Sequence, residues 1–279
     1  MTGFLLIDKP HGPTSHDIVD AVRRALGVKR VGHAGTLDPP ATGLLVVAVG
    51  PATRLLRYVQ PLPKTYEVTC ALGVTTTTLD ATGDVVEHRP VGVTPGEVRA
   101  AAASFVGEIE QVPPAVSAVK VAGERAYKRA RRGEDVAIEP RKVTVHSFDI
   151  LRTSSDAFDA RIVCSSGTYV RSLVADLGAR LGCGAHVVTL RRTAVGHLSV
   201  ADAVEPERVA VGDVAPVEEV LEHMPRLEVD DATAKRLRDG QRVPTEAGAG
   251  EYVVVGPAGA VGVFVSCEGA LRAETVLGN

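Results

Sequence analysis

Long apolar runs are missing from this sequence, and the longest, Gly43 to Ala52, covers about half of what spans a bilayer. A transmembrane helix is therefore excluded. Cysteine is sparse: Cys70, Cys164, Cys183 and Cys267 form no Cys-x-x-Cys pair and no Cys/His metal spacing. A chain of this size has no need of a disulfide framework, so buried or incidental thiols are expected. No excess of positive charge exists either, since 31 Lys and Arg face 34 Asp and Glu for a net charge of −3. General stickiness for nucleic acid is excluded, and any basic face must be local. The sequence also lacks a Gly-x-x-x-x-Gly-Lys phosphate loop, Gly-x-Gly-x-x-Gly, His-Glu-x-x-His, Gly-x-Ser-x-Gly and the zinc deaminase pattern. Nucleotide hydrolysis, dinucleotide redox and zinc proteolysis have no support. An acid-base or nucleophilic carboxylate site without a visible cofactor remains.

What is present suits a globular chain. The 279 residues are 45% hydrophobic and 23% charged, enough for one large domain with an appendage or for two domains. Near the start, Phe4 to Ile7 runs straight into Asp8 and Lys9, which leaves no apolar region for a signal peptide and predicts a cytoplasmic protein. Phe4 to Ile7 reads as a strand, followed by a helix capped by Thr14 or Ser15, with Ile18, Val19, Val22 and Leu26 at helical spacing and Gly27 at its end. Val31 to Thr42 reads as loop, Leu44 to Val49 as a buried strand and Tyr66 to Leu72 as another. Thr94-Pro-Gly-Glu97 carries a cap, an N1 proline and a capping-box glutamate ahead of a helix reaching about Phe105. Arg141 to Leu151 and Ala157 to Cys164 read as paired strands across the Thr153–Asp156 turn, and Thr168 to Leu181 as a helix. Pro216 and Pro225 bracket a linking helix. Beyond Pro225 a short helix, Ala232 to Arg238, and strands near Tyr252 to Val255 and Val261 to Val265 predict a small β-rich module. Without an even βαβ rhythm, the fold class is α/β (α+β): a mixed, largely antiparallel sheet flanked by helices.

The best candidate for chemistry is Asp38. Its loop contains Gly32, Gly35 and Gly43 and is stiffened by Pro39 and Pro40, so a carboxylate is held at a fixed angle beside a buried strand. An aspartate before proline is also ordinary turn chemistry. At this loop the sequence meets a family. Gly32-His-Ala-Gly-Thr-Leu-Asp-Pro-Pro-Ala-Thr-Gly43 resembles the catalytic-aspartate motif of the TruB family of tRNA pseudouridine synthases. Five further motifs follow the family's order: Leu6 to Ser15, Lys64 to Val68, Gln111 to Lys120 with Gly123 to Tyr127, Cys164 to Ser172, and Gly182 to His186 with Leu190 to Arg192. Ala34 and Pro40 fall where such sequences vary.

The resemblance implies the pseudouridine synthase fold, with a catalytic domain over 1–225, a thumb-like RNA-binding insertion over 111–141 and a PUA-like RNA-binding module over 226–279. It implies isomerisation of uridine 55 in the T-loop of tRNA to pseudouridine, with no cofactor, no metal, no membrane and no obligate protein partner. Asp38 takes the catalytic position. Arg171 resembles the arginine that pairs with it, and Tyr66 the tyrosine that stacks on the target base. Tyr169 and Leu190 match positions lining the same pocket, and His33 matches the histidine that takes part in flipping the base out. Each has a plainer account as core, loop or surface salt bridge. From Lys120 to Lys142 eight Lys or Arg face four Asp or Glu, so Lys128, Arg129, Arg131 and Arg132, on an expected helix from Ala126 to Arg132, are candidate phosphate contacts, with Lys9 as a weaker one. Two rival functions are a non-catalytic RNA-binding protein and a glycoside-type hydrolase pairing Asp38 with Asp84 or Asp176.

Overall fold

A computed structural model describes residues 1–114, 116, 120, 121, 124, 125, 129, 132, 134 and 138–278. The chain divides into two compact units, Met1–Pro61 with Val195–Asn279, and Leu62–Ala194. No helix among the described residues is long and apolar enough to cross a membrane.

The first unit begins with strand β1 (Gly3–Lys9) and helix α1 (Ser15–Leu26). Thr14 caps α1 through a capping box with Asp17, an arrangement that stabilises a helix start by about 1 kcal/mol. Ile18, Val19 and Val22 are buried on one face of α1, where the helical spacing places them. Val31–His33 is not loop but a short strand, β2, which pairs antiparallel with β3 (Thr42–Val49). The glycines and prolines that follow give the segment a loop-like composition, yet Val31 is buried opposite the buried Val49. From Gly43 onward β3 is buried throughout, with β1 on its other side, so the apolar run of this strand reflects a central position rather than one wet face.

The second unit runs through β4 (Lys64–Leu72), the hairpin β5 (Val74–Thr76) and β6 (Val85–His88), and helix α2 (Pro95–Ala103) with the expected capping box of Thr94 and Glu97. Strands β7 (Gly107–Gln111), β8 (Arg141–Thr153) and β9 (Ala157–Cys164) follow, then helix α3 (Val170–Arg180) and β10 (Ala185–Val195). The sheet order in this unit is β10-β4-β9-β8-β7. Its core gathers Val68, Leu72, Val98, Phe148, Phe158, Ile162, Leu173 and Leu177. Gly178 on α3 is required by packing, because a Cβ there would lie 2.2 Å from the Ala185 nitrogen. Cys70, Cys164 and Cys183 are buried and unbridged, and burial pushes the Cys164 thiol up to about 11.

The chain returns to the first unit along β1, where Val204 and Ala215 exchange backbone hydrogen bonds with Leu6, Asp8 and Phe4 and close its outer edge. The helix expected between Pro216 and Pro225 is a single turn, Val217–Val220. The β-rich tail is then realised: β11 (Arg226–Glu228), helix α4 (Asp231–Arg238), β12 (Val243–Pro244), β13 (Gly250–Gly256), β14 (Gly259–Cys267) and β15 (Ala270–Val276). They form a five-stranded sheet in the order β11-β13-β14-β15-β12 over a core of Ala234, Leu237, Val254, Val261 and Phe264. Arg57 bonds Glu274 at 2.6 Å and the Tyr58 hydroxyl bonds Glu251 at 3.1 Å, joining this sheet to the first segment of the same unit.

Candidate functional site

The Asp38 loop is fastened on both sides of the carboxylate. Ser15, at the first turn of α1 and 2% exposed, accepts from the Leu37 N–H at 2.9 Å and donates to the Leu37 carbonyl at 3.1 Å. On the other side the Pro39 carbonyl accepts from the Gly12 N–H at 2.9 Å and from the Lys9 ammonium at 3.2 Å. The Asp38 carbonyl itself accepts from Ala41 at 3.0 Å, and Ala34 is tied to Val46 at 2.9 Å. Gly35 lets the loop leave β2 at φ 99°, a left-handed conformation that side chains resist. A half-buried carboxylate is thereby held on a backbone with little freedom, the condition for a group that must act at one angle.

This arrangement corrects one expectation. Lys9 is not the solvated cation that a phosphate contact calls for: its side chain is fully buried, and its ammonium is bonded to the Pro39 carbonyl and, at 2.9 Å, to that of Pro10. A buried ammonium must find acceptors inside the protein, and here the loop backbone supplies them. His33 stands half-buried on β2, in register with Val47.

In the second unit Tyr66 lies on β4 opposite Ile162, half-buried, and both Tyr66 and Leu190 on β10 pack against the same core cluster. Tyr169 is the N-cap residue of α3, so Arg171 sits in that helix's first turn. Arg171 is 4% exposed, donates to the carbonyls of Thr78 at 2.8 Å and Val116 at 2.9 Å, and pairs with Asp80 at 3.4 Å. A surface salt bridge does not describe it.

Asp80 is a partner of Arg171 that the sequence alone did not reveal. Buried at 6% exposure, it accepts from the hydroxyls of Thr78 and Thr82 at 2.6 Å and from the Thr82 N–H at 3.0 Å. Leu79 between them has φ 62°, and its carbonyl accepts from Val187 at 3.1 Å while Ala81 donates to the Val187 carbonyl at 2.9 Å. The strained turn thus presents the Thr78 carbonyl and the Asp80 carboxylate together to one guanidinium. The signal available in the sequence was the run of four threonines before Leu79 and Asp80, which also suits an ordinary turn.

Gln111 and Arg141, at the facing ends of β7 and β8, are also absent from the expected set although both touch Tyr169. On the basic segment, Arg129 and Arg132 donate to the two oxygens of Glu134 at 2.7 and 2.6 Å and hold that carboxyl below its ordinary range. Lys128, Arg131 and most of the expected helix from Ala126 to Arg132 lie outside the described residues. The two carboxylates considered as hydrolase partners, Asp84 and Asp176, both reach solvent, and partial burial raises the Asp176 carboxyl above its ordinary range.

Comparison with known proteins adds a family to this geometry. The model described as TruB family pseudouridylate synthase (N terminal domain) matches residues 23–170, and that described as tRNA pseudouridylate synthase B C-terminal domain matches residues 171–224. The tRNA pseudouridine synthase B of Thermobifida fusca is 47% identical, over 93% of this chain and 92% of that protein. Its counterpart from Ralstonia nicotianae is 44% identical, over 99% and 94%. Among solved structures, an H/ACA RNP bound to a substrate RNA containing 2'-deoxyuridine includes a chain similar in fold, with a TM-score of 0.75 at 22% identity over 99% of this chain and 85% of that one. A chain of the archaeal box H/ACA sRNP Nop10-Cbf5 complex gives 0.72 at 25% identity, over 98% and 85%.

Proposed function

The chain belongs to the TruB family of pseudouridylate synthases, and from that premise we propose that it isomerises uridine 55 in the T-loop of tRNA to pseudouridine. The reaction breaks the bond from N1 to C1′, turns the base, joins C5 to C1′ and moves the C5 proton, with no net gain or loss of atoms. It needs an ionised carboxylate at the sugar, a surface to hold the detached uracil, and exclusion of water.

Asp38 supplies the carboxylate. The observation that carries this assignment is the double fastening of its loop, through Leu37 to Ser15 and through Pro39 to Lys9 and Gly12. Tyr66, Tyr169 and Leu190 hold the target base, Arg171 is the guanidinium that keeps the reacting carboxylate charged, and His33 takes part in extruding the base. Residues 1–225 form the catalytic part and 226–279 an RNA-contacting module. Arg129 and Arg132, with Lys128 and Arg131, carry phosphate-facing charge.

The test is incubation with an unmodified tRNA transcript and mapping of the product. Pseudouridine at position 55 is expected from the wild type, and none from Asp38→Asn at a tRNA affinity within about threefold. Release of free uracil in place of pseudouridine would make the protein a hydrolase instead, and single-turnover product from pure Asp38→Asn would remove Asp38 from the chemistry.

A further inference from the structure

We propose that Gln111 and Arg141 form a clamp that fixes Tyr169, and that they are positioning residues for the reaction although neither belongs to the pocket itself. The inference rests on the assignment of Tyr169 to the base pocket. Gln111 is 1% exposed and spends its whole amide on one residue: the Tyr169 N–H donates to its Oε1 at 2.8 Å, and its Nε2 donates to the Tyr169 carbonyl at 3.0 Å. The two bonds hold each other in place, because turning the amide over would set donor against donor and acceptor against acceptor. The same carbonyl accepts from Leu173 at 3.1 Å, so both of its lone pairs are used and the start of α3 is pinned at that peptide.

Arg141 acts on the side chain. Its guanidinium carbon lies 4.7 Å from the centroid of the Tyr169 ring, and the group also donates to the Gly167 carbonyl. Its Nε is buried without a hydrogen-bond partner among the described residues. A guanidinium satisfied for its own sake would not leave a buried donor idle, so the ring and the Gly167 carbonyl decide where it sits.

The two residues are register partners on β7 and β8, which makes the clamp one rung of the sheet. The neighbouring contacts point the same way, since Ser172 donates to the Val112 carbonyl and Arg171 to that of Val116, both at 2.9 Å. Val112 and Val116, which follow Gln111 in the chain, thus hold the turn that carries Arg171. The peptide of Tyr169, its ring and the next turn of α3 are therefore set by this one rung and the residues that follow it.

The test uses the full-length protein and unmodified tRNA, with single-turnover rate, tRNA affinity at several salt concentrations and thermal unfolding all measured. Gln111→Leu and Arg141→Gln are each expected to slow the single-turnover rate about tenfold with affinity within about threefold. Arg141→Lys, which keeps a cation for the ring, should recover part of the loss. In a Tyr169→Ala background Arg141→Gln should not slow the reaction further, because the ring it holds is gone, whereas the peptide that Gln111 holds remains. Full additivity of Arg141→Gln in that background, or a wild-type rate in Arg141→Gln alone, would overturn the clamp. A flatter salt dependence of binding with an unchanged rate would make Arg141 a phosphate contact and overturn it too. If Gln111→Leu does not fold, the half-buried Arg141 decides the matter alone. A wild-type rate in Tyr169→Ala, by contrast, would refute the pocket assignment on which the clamp rests.

Discussion

The Asp38 loop and the turn from Tyr169 to Arg171 are both immobilised by hydrogen bonds to their backbone or to a buried charge, yet the partners differ in origin. Ser15 and Lys9 reach the first from 22 and 30 residues away. Gln111, Val116 and Thr78 reach the second across 58, 55 and 93 residues. The first lock closes once β1, α1 and their loop have formed. The second exists only after β7, the Thr78–Asp80 turn and α3 have been brought together by the sheet, so damage to it should spread into the core. Local locks protect an angle, and long-range locks tie an angle to global stability.

Asp80→Ala should give the largest effect of those that test this contrast. It removes the carboxylate beside a buried guanidinium, and breaking a buried pair typically costs about 3 to 5 kcal/mol. Denaturant unfolding should show the loss of stability, and single-turnover catalysis should fall at least a hundredfold. Stability within about 1 kcal/mol of wild type would mean that the Thr78 and Val116 carbonyls suffice to hold Arg171, and the contrast between the locks would fail.

Ser15→Ala comes next. It orphans the buried Leu37 N–H, for which about 1 to 3 kcal/mol is expected, and it frees the residue before Asp38. The rate should drop about tenfold while tRNA affinity holds, with a smaller loss of stability than Asp80→Ala gives. A loss of stability in Ser15→Ala as large as in Asp80→Ala would erase the distinction.

Each unit also buries a lysine, and the two should behave differently. Lys64 at the start of β4, 5% exposed, is lowered from 10.5 to about 8 by burial and by the neighbouring Arg192 charge, with Cys164 opposing weakly. Between about pH 8 and pH 10.5 the unfolded chain binds a proton that the folded protein has released, so stability should rise with pH through that window. The buried thiols Cys70 and Cys164, whose pKa values burial raises, act in the opposite direction above about pH 9, so the check is the difference between proteins. From pH 8 to pH 10 the slope of stability against pH should be less positive in Lys64→Met than in the wild type, and an identical slope in the variant would refute the assignment.

Lys9, whose ammonium is taken up by loop carbonyls, gives the smallest predicted effect on RNA binding. Lys9→Met should leave the salt dependence of tRNA affinity unchanged while lowering stability. A phosphate contact would instead remove roughly 0.7 to 0.9 from the slope of log affinity against log salt.

Much of this protein is written in short stretches of sequence. The capping boxes of Thr14 with Asp17 and Thr94 with Glu97 sit within one helical turn, and the apolar run of β3 declares a strand buried on both faces. The Asp38 loop is legible for the same reason, since glycine and proline act on their own dihedral angles. The β-rich tail is legible in outline, although Ala270–Val276 carries no alternating pattern, since Arg272, Ala273 and Glu274 are all exposed in succession.

Tertiary structure decided the rest. Lys9 looks like a solvated cation until β1 and the Asp38 loop enclose it, and Asp80 looks like a turn residue until Arg171 arrives from 91 positions away. Gln111 and Arg141 acquire a purpose only where β7 and β8 pair beside the start of α3. A backbone preference is a property of a residue and its neighbours and can be read from them. The partner of a buried charge or amide is chosen by whichever distant segment the sheet delivers to it, and no local pattern records that choice.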